Sequence, residues 1–133
     1  MICFIIYRKG VRVQEITLDI IIDMHDRIME RDGGDDRIIC EGILNEVVFQ
    51  ANLRENRIQQ AATVFWSLCA YPAFREGNKR TGYRLAEMIL SLDDSPLSLP
   101  CEELRLLVQG INAFSVEIED VERVLQHHVK KTA

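Results

Sequence analysis

Residues 61–82 read AATVFWSLCAYPAFREGNKRTG, and the fold follows from how they are read. The first ten are apolar around nearly the whole circumference of a helix, which marks a helix buried at the centre of a bundle. That helix is expected over about Ile58 to Ala70. Pro72 stops it, because the residue before a proline is pushed out of helical geometry. Another helical pattern starts near Asn78, with Leu85, Met88, Ile89 and Leu92 at core spacing. Between the two lies PAFREGNKRTG, a charged loop with Gly77 at its turn.

Working outward, Thr17 is placed to cap a first helix in which Leu18, Ile21, Ile22, His25, Ile28 and Met29 share one face. Asp32-Gly33-Gly34 ends it. A helix over about 38–53 turns Ile39, Ile43, Leu44, Val47, Val48 and Ala51 inward. Ser98 and Pro100 open another, with Leu104, Leu107, Val108 and Ile111 facing the core. The last, from about Glu119 to Val129, buries Val121, Val124, Leu125 and His128. Residues 2–7 and 11–16 are rich in β-branched and aromatic types and flank Arg8-Lys9-Gly10, which suggests a short N-terminal β-hairpin. Six helical patterns with short joints predict an all-α, single-domain helical bundle over residues 1–133.

Composition narrows the function. With 47% hydrophobic and 28% charged residues the chain is an ordinary globular one. Its net charge of −5 gives no global field for nucleic acid. Cys3, Cys40, Cys69 and Cys101 are scattered, with no CxxC pair, and read as reduced thiols in a cytoplasm. The apolar start MICFIIY is too short to span a bilayer and lacks the features of a signal peptide, so no membrane partner is expected. Against the acidic background, Arg75, Lys79, Arg80 and Arg84 form a local basic cluster.

The mechanics of that cluster suit an anion. Gly77 lets the backbone turn tightly and leaves its N–H unobstructed, and Asn78 is placed to cap the helix that begins there. The first amides of the helix then point outward at its positive end. Lys79 and Arg80 sit in the first turn, where positive charge is mildly unfavourable unless an anion resolves the conflict. Glu76 is suited to hold a divalent metal bridging phosphate oxygens, and Phe74 to anchor the loop in the core. The bland alternative is a plain loop capped by a helix, since short glycine motifs recur by chance.

FREGNKRTG resembles the core of the Fic/Doc family signature, H-x-F-x-[D/E]-[G/A]-N-x-R-[T], in its Doc-like (death-on-curing) form. ITLDIIIDMHDRIMERDGG is similar to the opening helix of Doc proteins, and LRLLVQGINAFSVEIEDVERVL to their C-terminal part, so the resemblance spans about residues 16–129. It implies a Fic-type fold that binds ATP or another nucleotide with Mg²⁺ and transfers AMP or phosphate to a protein hydroxyl. Glu76 matches the acid that holds magnesium. Gly77 matches the backbone anion hole, Asn78 the residue that positions the phosphates, and Arg80 the one that pairs with them. Lys79 stands where Doc forms replace a Fic glycine. A second arginine of the longer Fic signature falls on Tyr83, with Arg84 one step out of register. The self-inhibitory helix of the family does not appear, because Ala51 stands where its hydroxyl belongs. Restraint would then come from a separate antitoxin, as in a toxin–antitoxin pair.

The departure lies upstream. The family histidine that takes the proton from the attacking hydroxyl falls on Pro72, which has no ionisable group. An insertion at Ala73 would place Tyr71 there instead, a phenol with a pKa of about 10 and a poor base at neutral pH. His25 reads as a partly buried histidine bonded to a neighbour, and His127 and His128 as a solvated end and a core edge. The stretch DGGDD at 32–36 reads as a solvated turn. A general base contributes about 10²–10⁴ in rate. Two readings stay open: a nucleotide-binding relative with impaired catalysis, and an active transferase with another base.

Overall fold

The computed structural model describes residues 5–8 and 11–130, with side chains from Glu15 onward. Strands β1 (Ile5–Arg8) and β2 (Val11–Gln14) form an antiparallel hairpin in which Ile5 faces Gln14 and Arg8 faces Val11. The expected hairpin is present; its residues 2–4 and Lys9-Gly10 lie outside the described part. Six helices follow among the described residues: α1 (Leu18–Asp32), α2 (Glu41–Asn52), α3 (Arg57–Ala70), α4 (Asn78–Ser91), α5 (Cys101–Asn112) and α6 (Ile118–His128). The protein is an all-α single-domain bundle carrying that small hairpin.

The stretch around AATVFWSLCA does what its composition requires. Gln60 to Phe65, Leu68 and Cys69 are buried, and α3 packs against α2, α4, α5 and α6. Asn56 caps it by accepting from the Gln59 N–H at 2.9 Å. α1 and α4 bury complementary stripes, with Ile20, Ile21, Ile28 and Met29 on one and Leu85, Ile89 and Leu90 on the other. Thr17 caps α1 as expected, accepting from the Ile20 N–H at 3.2 Å, and Gly33 closes it through a 2.8 Å bond to the Met29 carbonyl. No helix among the described residues is long and apolar enough to cross a membrane.

One boundary differs from the pattern in the sequence. α2 starts at Glu41, three residues late, and Ile39 is 55% exposed rather than inward. The cause is a competing set of hydrogen bonds. Ile38 bridges to Phe74 in antiparallel fashion, and the N–H groups of Ile39 and Cys40 donate to the Ala73 carbonyl at 2.8 and 3.1 Å. Arg75 N–H returns to the Arg37 carbonyl at 2.9 Å. The segment 37–40 is therefore spent on holding the loop before α4, and apolar periodicity cannot register that demand.

A second anchor ties the entry of α1 to the end of α2. Asn52 mimics a peptide group toward Ile16, accepting its N–H at 2.9 Å and donating to its carbonyl at 2.8 Å. Ile16 is fully buried, so the two backbone groups have no ready recourse to water. Asn52→Ala is expected to lower unfolding free energy by about 1–3 kcal/mol in urea titration, while the exposed Glu55→Ala leaves it within about 0.5 kcal/mol.

Candidate functional site: the loop before α4

Gly77 adopts the left-handed conformation, with φ of 84°. A Cβ there would lie 2.5 Å from the Met29 methyl carbon and 3.3 Å from His25 Nε2, so both strain and space require glycine. His25 sets this turn from below. It is fully buried, stacks on Phe74 with ring centroids 3.6 Å apart, and donates from Nε2 to the Glu76 carbonyl at 2.7 Å. Across a trans peptide the N–H points opposite to the carbonyl, so the Gly77 N–H is turned away from His25. The helical ladder begins with Thr81 N–H on the Gly77 carbonyl at 2.9 Å, and no side chain caps this end. The N–H groups of Asn78, Lys79 and Arg80 thus have no partner among the described residues. Such an end attracts anions.

Asn78 has a different task from the capping role read in the sequence. Its Oδ1 accepts from the Ala73 and Phe74 N–H groups at 3.0 and 2.9 Å, and its Nδ2 donates to the Phe74 carbonyl at 2.8 Å. The side chain turns back and staples the loop onto the helix it precedes. Phe74 is buried as expected, and with His25 beneath it the loop is fixed from both sides.

The charges arrange themselves in a way the sequence does not reveal. Arg80 pairs with Asp32 at 2.7 Å, and Arg75 lies 3.7 Å from Asp35, which also binds Arg37 at 2.6 Å. The Asp35 N–H donates to Glu76 Oε2. Gly34, at φ of 122°, makes room for that carboxylate, since a Cβ there would stand 2.8 Å from it. The segment DGGDD is mostly exposed, as expected of a solvated turn, and it makes partners across the loop as well. It is seated on the loop, with carboxylates on two of the arginines expected to bind an anion. The other two basic residues do not join them. Lys79 lines a shallow cavity with Arg105, Val108 and Asn112 of α5, and Arg84 pairs with Glu87 at 3.3 Å. The expected four-residue cluster reduces to Arg75 and Arg80.

No imidazole stands free at the loop among the described residues. The His25 Nε2 is spent on the Glu76 carbonyl, and its buried Nδ1 has no hydrogen-bond partner, with Asp26 4.0 Å away. His128 is bound to Glu103 at 2.5 Å, and His127 is exposed on α6. Pro72 is exposed, and the Tyr71 ring belongs to an aromatic cluster, 5.8 Å from Trp66 and 5.9 Å from Phe114. No group of three histidine, cysteine or acidic side chains that could hold a metal occurs among the described residues. The single carboxylate of Glu76 still fits magnesium of the kind held mainly by phosphate oxygens and water. Neither the protein-family models nor the curated proteins contain a match to the chain.

The paired carboxylates carry a pH signature. Hydrogen bonds from Arg31, then from Arg80, lower Asp32 to about 2, and those from Arg37 do the same for Asp35, against an ordinary 3.8. Folded values below the unfolded ones mean that the stabilisation is present above 3.8 and is lost as pH falls toward about 2. At low salt, the urea midpoint of the wild type is expected to fall more steeply across that window than that of an Asp32→Asn/Asp35→Asn double variant. Parallel curves for the two proteins would contradict the pairing.

Proposed function

We propose that this chain is a Doc-like Fic-type protein that binds the phosphates of ATP or another nucleotide, with magnesium, at the loop before α4, and that its catalysis is impaired. The observation that carries the reading is the uncapped start of α4. Three unpartnered amides follow a left-handed glycine, and Arg80 and Glu76 stand beside them. In this reading the phosphates take the amides of Asn78, Lys79 and Arg80 and exchange Asp32 for themselves on the Arg80 guanidinium, a change of one charge-assisted bond for another. Glu76 would hold the magnesium, and the Asn78 side chain keeps the loop in shape while its backbone amide meets the ligand. Lys79 contributes its backbone amide, its exposed side chain lining the cavity beside α5.

The same geometry argues for impairment. Pro72 supplies no base, the Tyr71 ring is engaged by Trp66 and Phe114, and His25 already has its Nε2 proton on a backbone carbonyl. The bound nucleotide, a protein target and an antitoxin-like partner are the ligands this reading implies, in a cytoplasmic setting.

Calorimetry with ATP, GTP, CTP and UTP in magnesium tests the binding. At least one is expected to bind, with Arg80→Ala weakening it about tenfold or more through loss of a charge-assisted contact. Asp32→Asn is expected to tighten it by about twofold to fivefold, the scale on which an exposed ion pair competes. No binding of any of the four at millimolar concentration would sink the proposal.

Catalysis is tested separately with α- and γ-labelled ATP and a cell lysate. Pro72→His puts an imidazole two residues before Phe74, and much of it is neutral and able to accept a proton at pH 7. A gain in label transfer of about tenfold or more, abolished by Glu76→Ala, is the expected result for a loop that lacks only its base. The label retained identifies the group, AMP with α-label alone and phosphate with γ-label. Strong transfer by the wild type would instead establish the active-transferase reading.

A further inference from the structure

A second cavity lies between α2 and α3, one end of it reaching Cys40 and Tyr71 beside that loop. The short connection 53–56 makes these helices antiparallel neighbours, and a groove of about 470 Å³ runs between them, within the range of small-molecule pockets. Ile43 and Val47 of α2, Trp66 of α3 and Ile118 of α6 give it apolar walls. The Trp66 indole N–H is satisfied by the Val116 carbonyl at 2.7 Å, so the ring offers the groove an apolar surface. Tyr71, 49% exposed, stands at one end, and Arg54, just past the last turn of α2, stands at the other.

Arg54 is the informative residue. Nine other arginines have described side chains, and each has a carboxylate partner: Arg27, Arg31, Arg37 and Arg57 in the first half of the chain, then Arg75, Arg80, Arg84, Arg105 and Arg123. Arg54 alone among them has none, in a chain with 21 acids against 16 bases. Its Nε is sealed from water and bonded to nothing, and the hydroxyl of Thr63, on the same groove, is likewise buried and unpartnered. Glu46, the acid that lines the groove, accepts from Gln50 at 2.9 Å and makes no ion pair with Arg54. A position after a helix C-terminus suits a cation, but the Arg54 Nε takes none of the carbonyls at that end. An unpaired, partly buried guanidinium at the end of an apolar groove leaves one defined need, which is an anion attached to an apolar body.

We infer that the α2–α3 groove binds a monocarboxylate with an elongated apolar body, its carboxylate on Arg54 and its body along Ile43, Val47 and the Trp66 indole toward Tyr71. A planar carboxylate matches the guanidinium fork through two parallel bonds. Binding here requires no nucleotide at the loop before α4.

Trp66 is the sole tryptophan of the chain, so its fluorescence reports on the groove directly. Octanoate and decanoate are titrated below their micelle-forming concentrations, with decanol as the neutral counterpart. Decanoate is expected to give a saturable change, decanol one that is at least tenfold weaker, and Arg54→Gln at least a tenfold loss in decanoate affinity with an unchanged circular dichroism spectrum. Three results would each overturn the assignment: no saturable response to decanoate, equal binding of decanol, or unchanged affinity in Arg54→Gln. Should Arg54→Gln fail to fold, the decanoate and decanol comparison on the wild type decides by itself.

Discussion

The hydrogen bond from the buried His25 to the Glu76 carbonyl holds the centre of this structure together. It draws the carbonyl of the exposed Glu76 onto a fully buried ring, and the peptide that follows must turn its N–H outward. Gly77 can then only be left-handed, and α4 starts uncapped. Asn78 secures the arrangement from the other side by bonding to Ala73 and Phe74, and the extended segment 37–40 adds its own backbone bonds to the same stretch. Loop, helix start and α1 thus form one cooperative unit. A change at any of its members is felt as a change in how three amides are presented.

Electrostatics then sets the terms of any ligand's entry. The helix start is positive, yet the arginines beside it are already engaged by Asp32 and Asp35 from the α1–α2 loop. An anion at this site competes with carboxylates of the protein itself. Because those pairs are exposed, the competition is mild and salt-dependent, and it sets affinity rather than forbidding binding. Arg54 is the opposite case, a half-buried guanidinium with no carboxylate partner among the described residues, its Nε sealed from water at the end of an apolar groove.

Much of this was legible in the residues. The all-round apolar AATVFWSLCA gave the central helix, Thr17 and Gly33 gave the limits of α1, and Gly77 gave the turn, because each answers to local stereochemistry. What escaped was long-range. The start of α2 shifted because Ile39 and Cys40 donate to Ala73, more than thirty residues away in sequence. Asn78 looked like a cap because its local context is that of a cap, and only the folded loop shows acceptors and donors nearer to hand. The acidic segment 32–36 is mostly exposed, as its composition implies, but nothing in its own sequence names Arg75, Arg80 or Glu76 as its partners. Lys79 and Arg80 are adjacent in sequence, but helical rotation sends one toward α5 and the other toward Asp32.

The central claim is that phosphate meets the backbone at the start of α4. Amide-resolved nuclear magnetic resonance during titration with magnesium and ATP addresses it most directly. The account predicts that the largest shifts fall on the amides of Gly77, Asn78, Lys79 and Arg80, with Asp32 to Asp35 following as their carboxylates are displaced from the arginines. Shifts confined to other parts of the bundle, with those four amides unmoved at saturation, would contradict it.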